Sequence, residues 1–572
     1  MALPKRLAAQ SEDDGLGPNE RTTLIGRASP QPKPYGDVVS VTSATSSFTP
    51  PMKNPDMVMW ILYIAIFIGG GAIQFQVIPM ARIYEDAICR AHYERAQVSG
   101  PIDESQCKVD AIQSELAFIF AIQEALTAFV SCFVAIPWGI VADKYGRKPV
   151  TCLCFLGDAL AAAIVIIVAW LNPLVPIRAV WASSLVILIG GGDAVVAATI
   201  SGIVTDIIPE AQRSDLRGVV FMRVYMCGMV GGLSAPALAS ALMPVAGPWV
   251  LMLVALFSIL FVTTLCLFMP ETLVKKKEDQ ASETSAGFGA SLMKSLAALK
   301  GSLSVFKSVP VTLLFATTFF STPLLTCTLQ FLTVFASKRY HIRLDETGYI
   351  QTVYGVAQAI AGVALLPLIS EFITKSWLPA WLRISNERRR DLVLLRWSYG
   401  VSIIGTLILG FAPKLGTFIL GLLVMALGSG ANGLIKSLLS LYVDPELSSQ
   451  LYTITGILEV CGSLYAQPLL AALFTIGMRL GGGYIGLPYF GVTALSVLLC
   501  VIVMFVRLPK SETGDAESLN EEVIGNRNAQ IISNLRVREG FIKLLMFWLN
   551  VFGGYRTRAN RAYIAQKGAI ML

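Results

Sequence analysis

Residues 139–149 read Gly139-Ile140-Val141-Ala142-Asp143-Lys144-Tyr145-Gly146-Arg147-Lys148-Pro149. Apolar stretches flank this short polar string, one at about 116–141 and one at about 149–170. A helix of about 20 apolar residues crosses ~30 Å of hydrocarbon, so each flank is long enough to be a membrane span. Gly146 permits a tight turn between them. Gly139 is small enough to let another helix approach. Asp143 can pair with a cation or a helix N-terminus. Arg147 and Lys148 suit lipid headgroups or acidic partners. The string therefore reads as a loop between two spans, with a turn carrying inward-positive charge as the plainer alternative.

Working outward, the same kind of apolar segment recurs. Twelve are expected, at about 57–81, 116–141, 149–170, 179–206, 218–243, 249–269, 310–335, 348–369, 392–412, 415–440, 451–476 and 485–507. Each must be helical to satisfy its own backbone in lipid. The composition agrees: of 572 residues 54% are apolar and 15% are charged, against about 25% charged in soluble domains. A single soluble core stops growing near 250–300 residues, so about 300 apolar residues exclude an ordinary cytosolic enzyme. The net charge of +7 comes from short basic clusters between apolar runs, not from a nucleic-acid surface. The expected fold class is an all-α membrane protein, twelve helices in two pseudo-symmetric six-helix bundles.

The bundles are expected at 57–273 and 310–507, joined by a polar cytoplasmic linker at 274–309. Residues 1–56 read as a disordered cytoplasmic tail. Residues 508–572 read as a second cytoplasmic tail with a short amphipathic helix at Phe541–Phe552, too short at ~18 Å to span. The distribution of Lys and Arg places the 139–149 loop inside. The first outer loop, about 82–115, then carries Cys89 and Cys107 in an oxidising compartment, where a disulfide between them is expected; two unpaired thiols are the alternative. His92 and His341 are the only histidines, too few for a His-rich metal site.

The two halves echo each other. Gly190-Gly191-Gly192 is followed, fourteen residues after Gly192, by Asp206 and then Pro209-Glu210. Gly428-Ser429-Gly430 is followed at the same interval by Asp444 and then Pro445-Glu446. Repeated halves of six spans are the build of an alternating-access transporter.

The string at 139–149, with five specified residues at fixed spacing between the second and third spans, resembles the signature loop of the major facilitator superfamily. That resemblance extends over about 57–507 and implies a conformational latch at the inner face, carried by Gly139, Asp143, Gly146, Arg147 and Lys148, which strengthens an outward-open state. Pro270-Glu271-Thr272-Leu273 fits the family's ending of the sixth span. The fifth span, Gly228-x-x-Gly231-Gly232-x-x-Ala235-Pro236-x-x-Ala239, resembles the exporters' glycine-and-proline pattern with alanine at two glycine positions. Val186 stands where exporters often carry an arginine, so no proton-site arginine carries over. The outer segment Arg82–Arg90 and the run Asp206–Arg213 resemble the fungal drug and secondary-metabolite branch.

Ionisable residues at membrane depth are costly and point to function. Asp193, Asp158 and Glu124 are the candidates for a proton or substrate site, with Asp193, next to the three glycines, foremost. Lys436 and Glu459 lie at similar depth on sequential helices and are expected to pair; Arg223 is expected to meet Asp206 or Asp193. Gln74, Gln76, Gln330, Gln351, Tyr354 and Gln358 are candidates to line a cavity for a neutral or weakly basic organic molecule, or else to hydrogen-bond between helices.

No phosphate-binding G-x-x-x-x-G-K-[ST] loop and no H-E-x-x-H cluster occur, which argues against an ATP-driven pump or a metalloenzyme. The expected function is secondary transport without a cofactor: proton-coupled efflux of a small organic molecule, a drug, toxin or secondary metabolite. Proton-coupled uptake is the alternative. The expected partners are that substrate, protons and the lipid bilayer, with no nucleic acid, in a monomer. The expected location is the plasma membrane, with vacuolar or vesicular membranes as alternatives.

Overall fold

The computed structural model describes residues 55–95, 103–207, 215–272, 308–329, 331–374, 387–440 and 448–506. The expected tails, most of the linker and the short helix at 541–552 lie outside them. Among the described residues every regular element is a helix or helical turn.

In the first part of the chain these are α1 (Pro55–Phe75), α2 (Val77–Arg95), α3 (Asp110–Tyr145), α4 (Arg147–Trp170), the short α5 (Ala182–Val186), α6 (Gly192–Ile207) and the long α7 (Asp215–Leu267). The second part has α8 (Val309–Leu329), α9 (Phe331–Tyr340), α10 (Leu344–Ile360), α11 (Leu366–Thr374), α12 (Glu387–Phe411), α13 (Leu415–Ala426), α14 (Ala431–Ser440), α15 (Ser448–Leu480) and α16 (Leu487–Met504).

By length and apolarity, nine helices among the described residues can cross a membrane, where the sequence predicts twelve spans. Two features of the backbone account for most of the difference. The fifth and sixth segments run together as α7, whose 53 residues bend at Gly247 (φ 76°), between Pro244 and Pro248. The fourth segment is interrupted: α5 stops at Val186, and α6 starts only at Gly192, because Gly190, Gly191 and Gly192 all have positive φ. Residues with a Cβ pay to enter that region, so a glycine run is where a helix can break. The seventh segment is α8, a helix of 21 residues.

The tenth segment breaks at the matching place. α13 ends at Ala426, turns cover Leu427–Gly430, and α14 begins at Ala431. The sequence echo of Gly190–Gly192 and Gly428–Gly430 is thus an echo of two interrupted helices.

Two long contacts join the first part to the second. α3 packs along α15, and α7 packs along α10. At the second contact, Gly348 and Gly355 of α10 bring its backbone against Pro236 and Leu233 of α7. The largest apolar cluster, with Tyr84, Leu116, Phe335, Phe418 and Tyr489, lies near the Asp110 end of α3 and draws on both parts.

Candidate functional site

Two cavities occupy the space between these helices. The first, about 420 Å³, is lined by Gln76, Glu124, Asp158 and Asp193, and by Ser463 and Gln467 of α15. All three carboxylates singled out in the sequence therefore face one space. Asp193 owes its place to the break in the fourth segment: it is the second residue of α6, so the positive end of that helix also points there. Gly157 of α4 makes room for the break, since a Cβ there would strike the Ile189 carbonyl oxygen. One oxygen of Asp158, Oδ2, is buried without a hydrogen-bond partner. No ion pair to Asp158 or Asp193 occurs among the described residues.

The second cavity, about 600 Å³, is lined by Tyr225, Gln351, Gln358, Glu371 and Ser429, with Met229, Leu233 and Leu366 as its apolar walls. Gln74 lines both cavities. Gln351 donates from Nε2 to the Leu329 carbonyl at 2.7 Å, while its Oε1 is buried without a partner. Tyr354 departs from expectation: it is 2% exposed and packs in the apolar cluster rather than lining a cavity. Gln330 lies outside the described residues.

The charged residues at depth sort differently from one another. Lys436 pairs with Glu459 at 2.9 Å. Arg223 does not meet Asp206 or Asp193; it lies against the Tyr63 hydroxyl. Asp206 is taken by Arg147, whose Nε is 2.8 Å away.

The 139–149 string forms the turn between α3 and α4. Gly146 has φ 120°, and a Cβ there would strike the Glu271 carboxylate. That carboxylate accepts from the backbone N–H groups of Arg147 (2.9 Å) and Lys148 (3.3 Å), capping the start of α4. Arg147 also lies 3.8 Å from Asp143, which is 74% exposed. Gly139 contradicts the expectation of a close helix contact: among the described residues nothing lies within 4 Å of a Cβ built on it.

The opposite end of α3 is tied shut. Cys89 and Cys107 form a disulfide that closes an eighteen-residue separation. Beside it, buried Glu85 accepts from Lys108 (2.7 Å), Gln113 (2.6 Å) and Arg82 (2.9 Å). Glu104 accepts from the backbone N–H of Leu344 at 3.0 Å, and Lys338 pairs with Asp110 and donates to the Lys108 carbonyl. These bonds clasp residues 104–110 to residues 338–344, across the two parts of the chain.

Sequence reasoning missed several lining groups. Gln467, Glu371 and Ser463 line the cavities, and none was among the candidates. It also missed Cys132 and Cys461, whose sulfurs lie 3.7 Å apart across α3 and α15.

A family model described as the Major Facilitator Superfamily matches residues 109–466. The chain is 31% identical to the MFS efflux pump atnC of Emericella nidulans, over 76% of this chain and 84% of that one. It is 26% identical to the efflux pump ustT of Aspergillus flavus, over 75% and 84%. Among solved structures, the nucleoside transporter NupG matches with a TM-score of 0.54 at 14% identity, over 79% of this chain and 100% of that one. The D-xylose-proton symporter matches with a TM-score of 0.56 at 11% identity, over 80% and 99%. At those identities the structural likeness is one of fold. The chain belongs to the Major Facilitator Superfamily, as a multi-pass membrane transporter rather than an enzyme, and resembles that superfamily's fungal efflux pumps.

Proposed function

We propose that the chain exports a small organic molecule by alternating access, with protons as the coupling ion. The observation that carries this reading is a pair of cavities between the helices that share Gln74 in their linings, one with Glu124, Asp158 and Asp193 and the other with Tyr225 and Glu371.

The reading takes the helices as twelve crossings in two bundles. α7, at ~1.5 Å per residue, is more than twice as long as the ~30 Å of hydrocarbon it must cross, and its bend at Gly247 separates two crossings. The contacts fit a twofold relation: moving six segments along turns the second–eleventh pair, α3 with α15, into the eighth–fifth pair, α10 with α7. With Lys144, Arg147 and Lys148 inside, the clasp and disulfide face outward, and the cavities are those of an inward-facing form. In the opposite form the loop of Asp143, Gly146, Arg147 and Lys148 serves as the inner latch. Asp193, with Asp158 and Glu124 beside it, carries the exchanged proton. One chain supplies both bundles and works as a monomer, in the plasma membrane. Similarity to proteins named efflux pumps favours export over uptake.

Purified protein in liposomes tests this. An imposed pH gradient is expected to drive accumulation of an organic dye while protons move the opposite way, read by a trapped pH indicator. Asp193→Asn is expected to lower that flux at least tenfold. Dye flux indifferent to the gradient, or proton and dye moving together, contradicts the reading.

A further inference from the structure

The two cavities share a property that says what they hold. Among the described residues their linings include four carboxylates, Glu124, Asp158, Asp193 and Glu371, and no lysine, arginine or histidine. Three cations within the spans or at their ends are engaged elsewhere: Lys436 with Glu459, Arg147 with Asp206, and Arg223 at Tyr63. The positive end of α6 offsets part of the Asp193 charge, and when the carboxylates release their protons the field in each cavity is negative. Low-dielectric walls concentrate such a field on whatever enters.

A second, independent feature points the same way. Gln351 is 4% exposed, yet its Oε1 has no donor, and it lies in the cavity away from the three clustered carboxylates. A buried acceptor without a donor is costly. Asp158 Oδ2 is in the same condition in the other cavity. Both unmet groups are acceptors, so both call for N–H or O–H donors on a ligand. Meanwhile Met229, Leu233, Leu329 and Leu366 offer the larger cavity an apolar wall.

We infer that the ligand is an organic cation with an apolar body, its charged nitrogen among Asp158, Asp193 and Glu124 and its apolar part in the larger cavity beyond Gln74. This rests on the transporter reading and narrows its substrate. An anion would face Asp158, Asp193 and Glu371 with no lysine, arginine or histidine beside them among the described lining residues. A neutral apolar molecule would leave the acceptors of Asp158 and Gln351 unmet.

Equilibrium binding to the purified full chain in nanodiscs tests the charge directly. The probes are tetraphenylphosphonium, the similarly shaped tetraphenylborate, and neutral triphenylphosphine oxide. Tetraphenylphosphonium is expected to bind at least tenfold more tightly than the neutral probe, and tetraphenylborate not to bind above empty nanodiscs. Asp158→Asn and Asp193→Asn, singly and together, are expected to weaken the cation tenfold or more and leave the neutral probe unchanged. The neutral probe serves as the check that each variant is folded. No cation binding, equal binding of the three probes, or cation binding untouched by the substitutions overturns the inference. Binding is read without flux, so a failed pH-driven flux with intact cation preference strikes the transport reading instead. Flux of a neutral dye without cation preference strikes only this inference.

Discussion

Arg147 and Asp206 form an ion pair of 2.8 Å that fastens the turn between α3 and α4 to the end of the interrupted fourth segment. Both side chains are about four-fifths buried, 18% and 20% exposed, so losing one strands the other in a partly desolvated place. Arg147→Ala and Asp206→Asn are each expected to cost about 1–3 kcal/mol, seen as a lower unfolding temperature. The double variant is expected to cost less than the sum. Asp143→Asn, at an exposed position, is expected to leave stability unchanged and lower transport. Additive costs in the pair, or unaltered transport in Asp143→Asn, go against these assignments.

The clasp predicts a local effect of breaking the disulfide. For a loop of this length the chain-entropy estimate is about 3 kcal/mol. In Cys89→Ser/Cys107→Ser, hydrogen exchange is expected to speed up in residues 104–110 and also in 338–344, because the two segments are bonded to each other. Lys338→Ala is expected to loosen the same two segments with the disulfide intact. Acceleration confined to 104–110 in both variants speaks against a joint clasp.

Asp103 gives the outer segment an acid sensitivity. It starts the helical turn Glu104–Lys108, and hydrogen bonds from the Ser105 hydroxyl and the Glu104 amide hold its carboxyl below the usual range. A lowered folded value means that the unfolded chain takes the proton first as pH falls. The turn's stabilisation is therefore complete above about pH 4 and is lost as pH drops through the lower folded value. Exchange protection in 103–108 is expected to decline in that window, and Asp103→Ala to remove the decline.

Cys132 and Cys461 face each other across α3 and α15 at 3.7 Å. Copper phenanthroline is expected to join them. With a protease site placed in 274–309, the two fragments are expected to stay together on a non-reducing gel and separate on a reducing one. Cys461→Ser is expected to abolish the link. Fragments that never join indicate that these faces do not meet in the membrane.

Gly348 sets the distance between α10 and α7. A Cβ there lies 2.5 Å from the Pro236 carbonyl oxygen, a backbone atom that cannot turn away. Gly348→Ala is expected to cost about 1–3 kcal/mol and to slow transport. At Gly400, where among the described residues nothing lies within 4 Å of a Cβ, the same change is expected to be nearly silent. Equal effects at both positions contradict the close contact.

Much of this architecture was legible because lipid leaves few options: apolar runs of about 20 residues must be helices. The turn at Gly146 was legible for the same reason, as a polar interruption. The role of Glu271 was half legible. Pro270-Glu271-Thr272 marked a span's end, but its capping of α4 joins residues 124 positions apart, which no local pattern records. The glycine runs were visible as an echo. That they break helices was not, since glycine also serves close packing in membranes. Gln351, Tyr354 and Gln358 share one helix face, yet Tyr354 turns into the aromatic and aliphatic cluster while the amides keep to the cavity. Periodicity gives the face, and the neighbours decide which members reach the space.

The matched interruptions at Gly190–Gly192 and Gly428–Gly430 carry a further consequence. Counting from each run, the residue that follows is Asp193 in one copy and Ala431 in the other. Both segments are interrupted, but by different backbone: Gly190, Gly191 and Gly192 have positive φ, and neither Gly428 nor Gly430 does. On the proposed mechanism, the break that carries the acidic residue is the one where a substitution alters ligand preference, and the other can change without touching it.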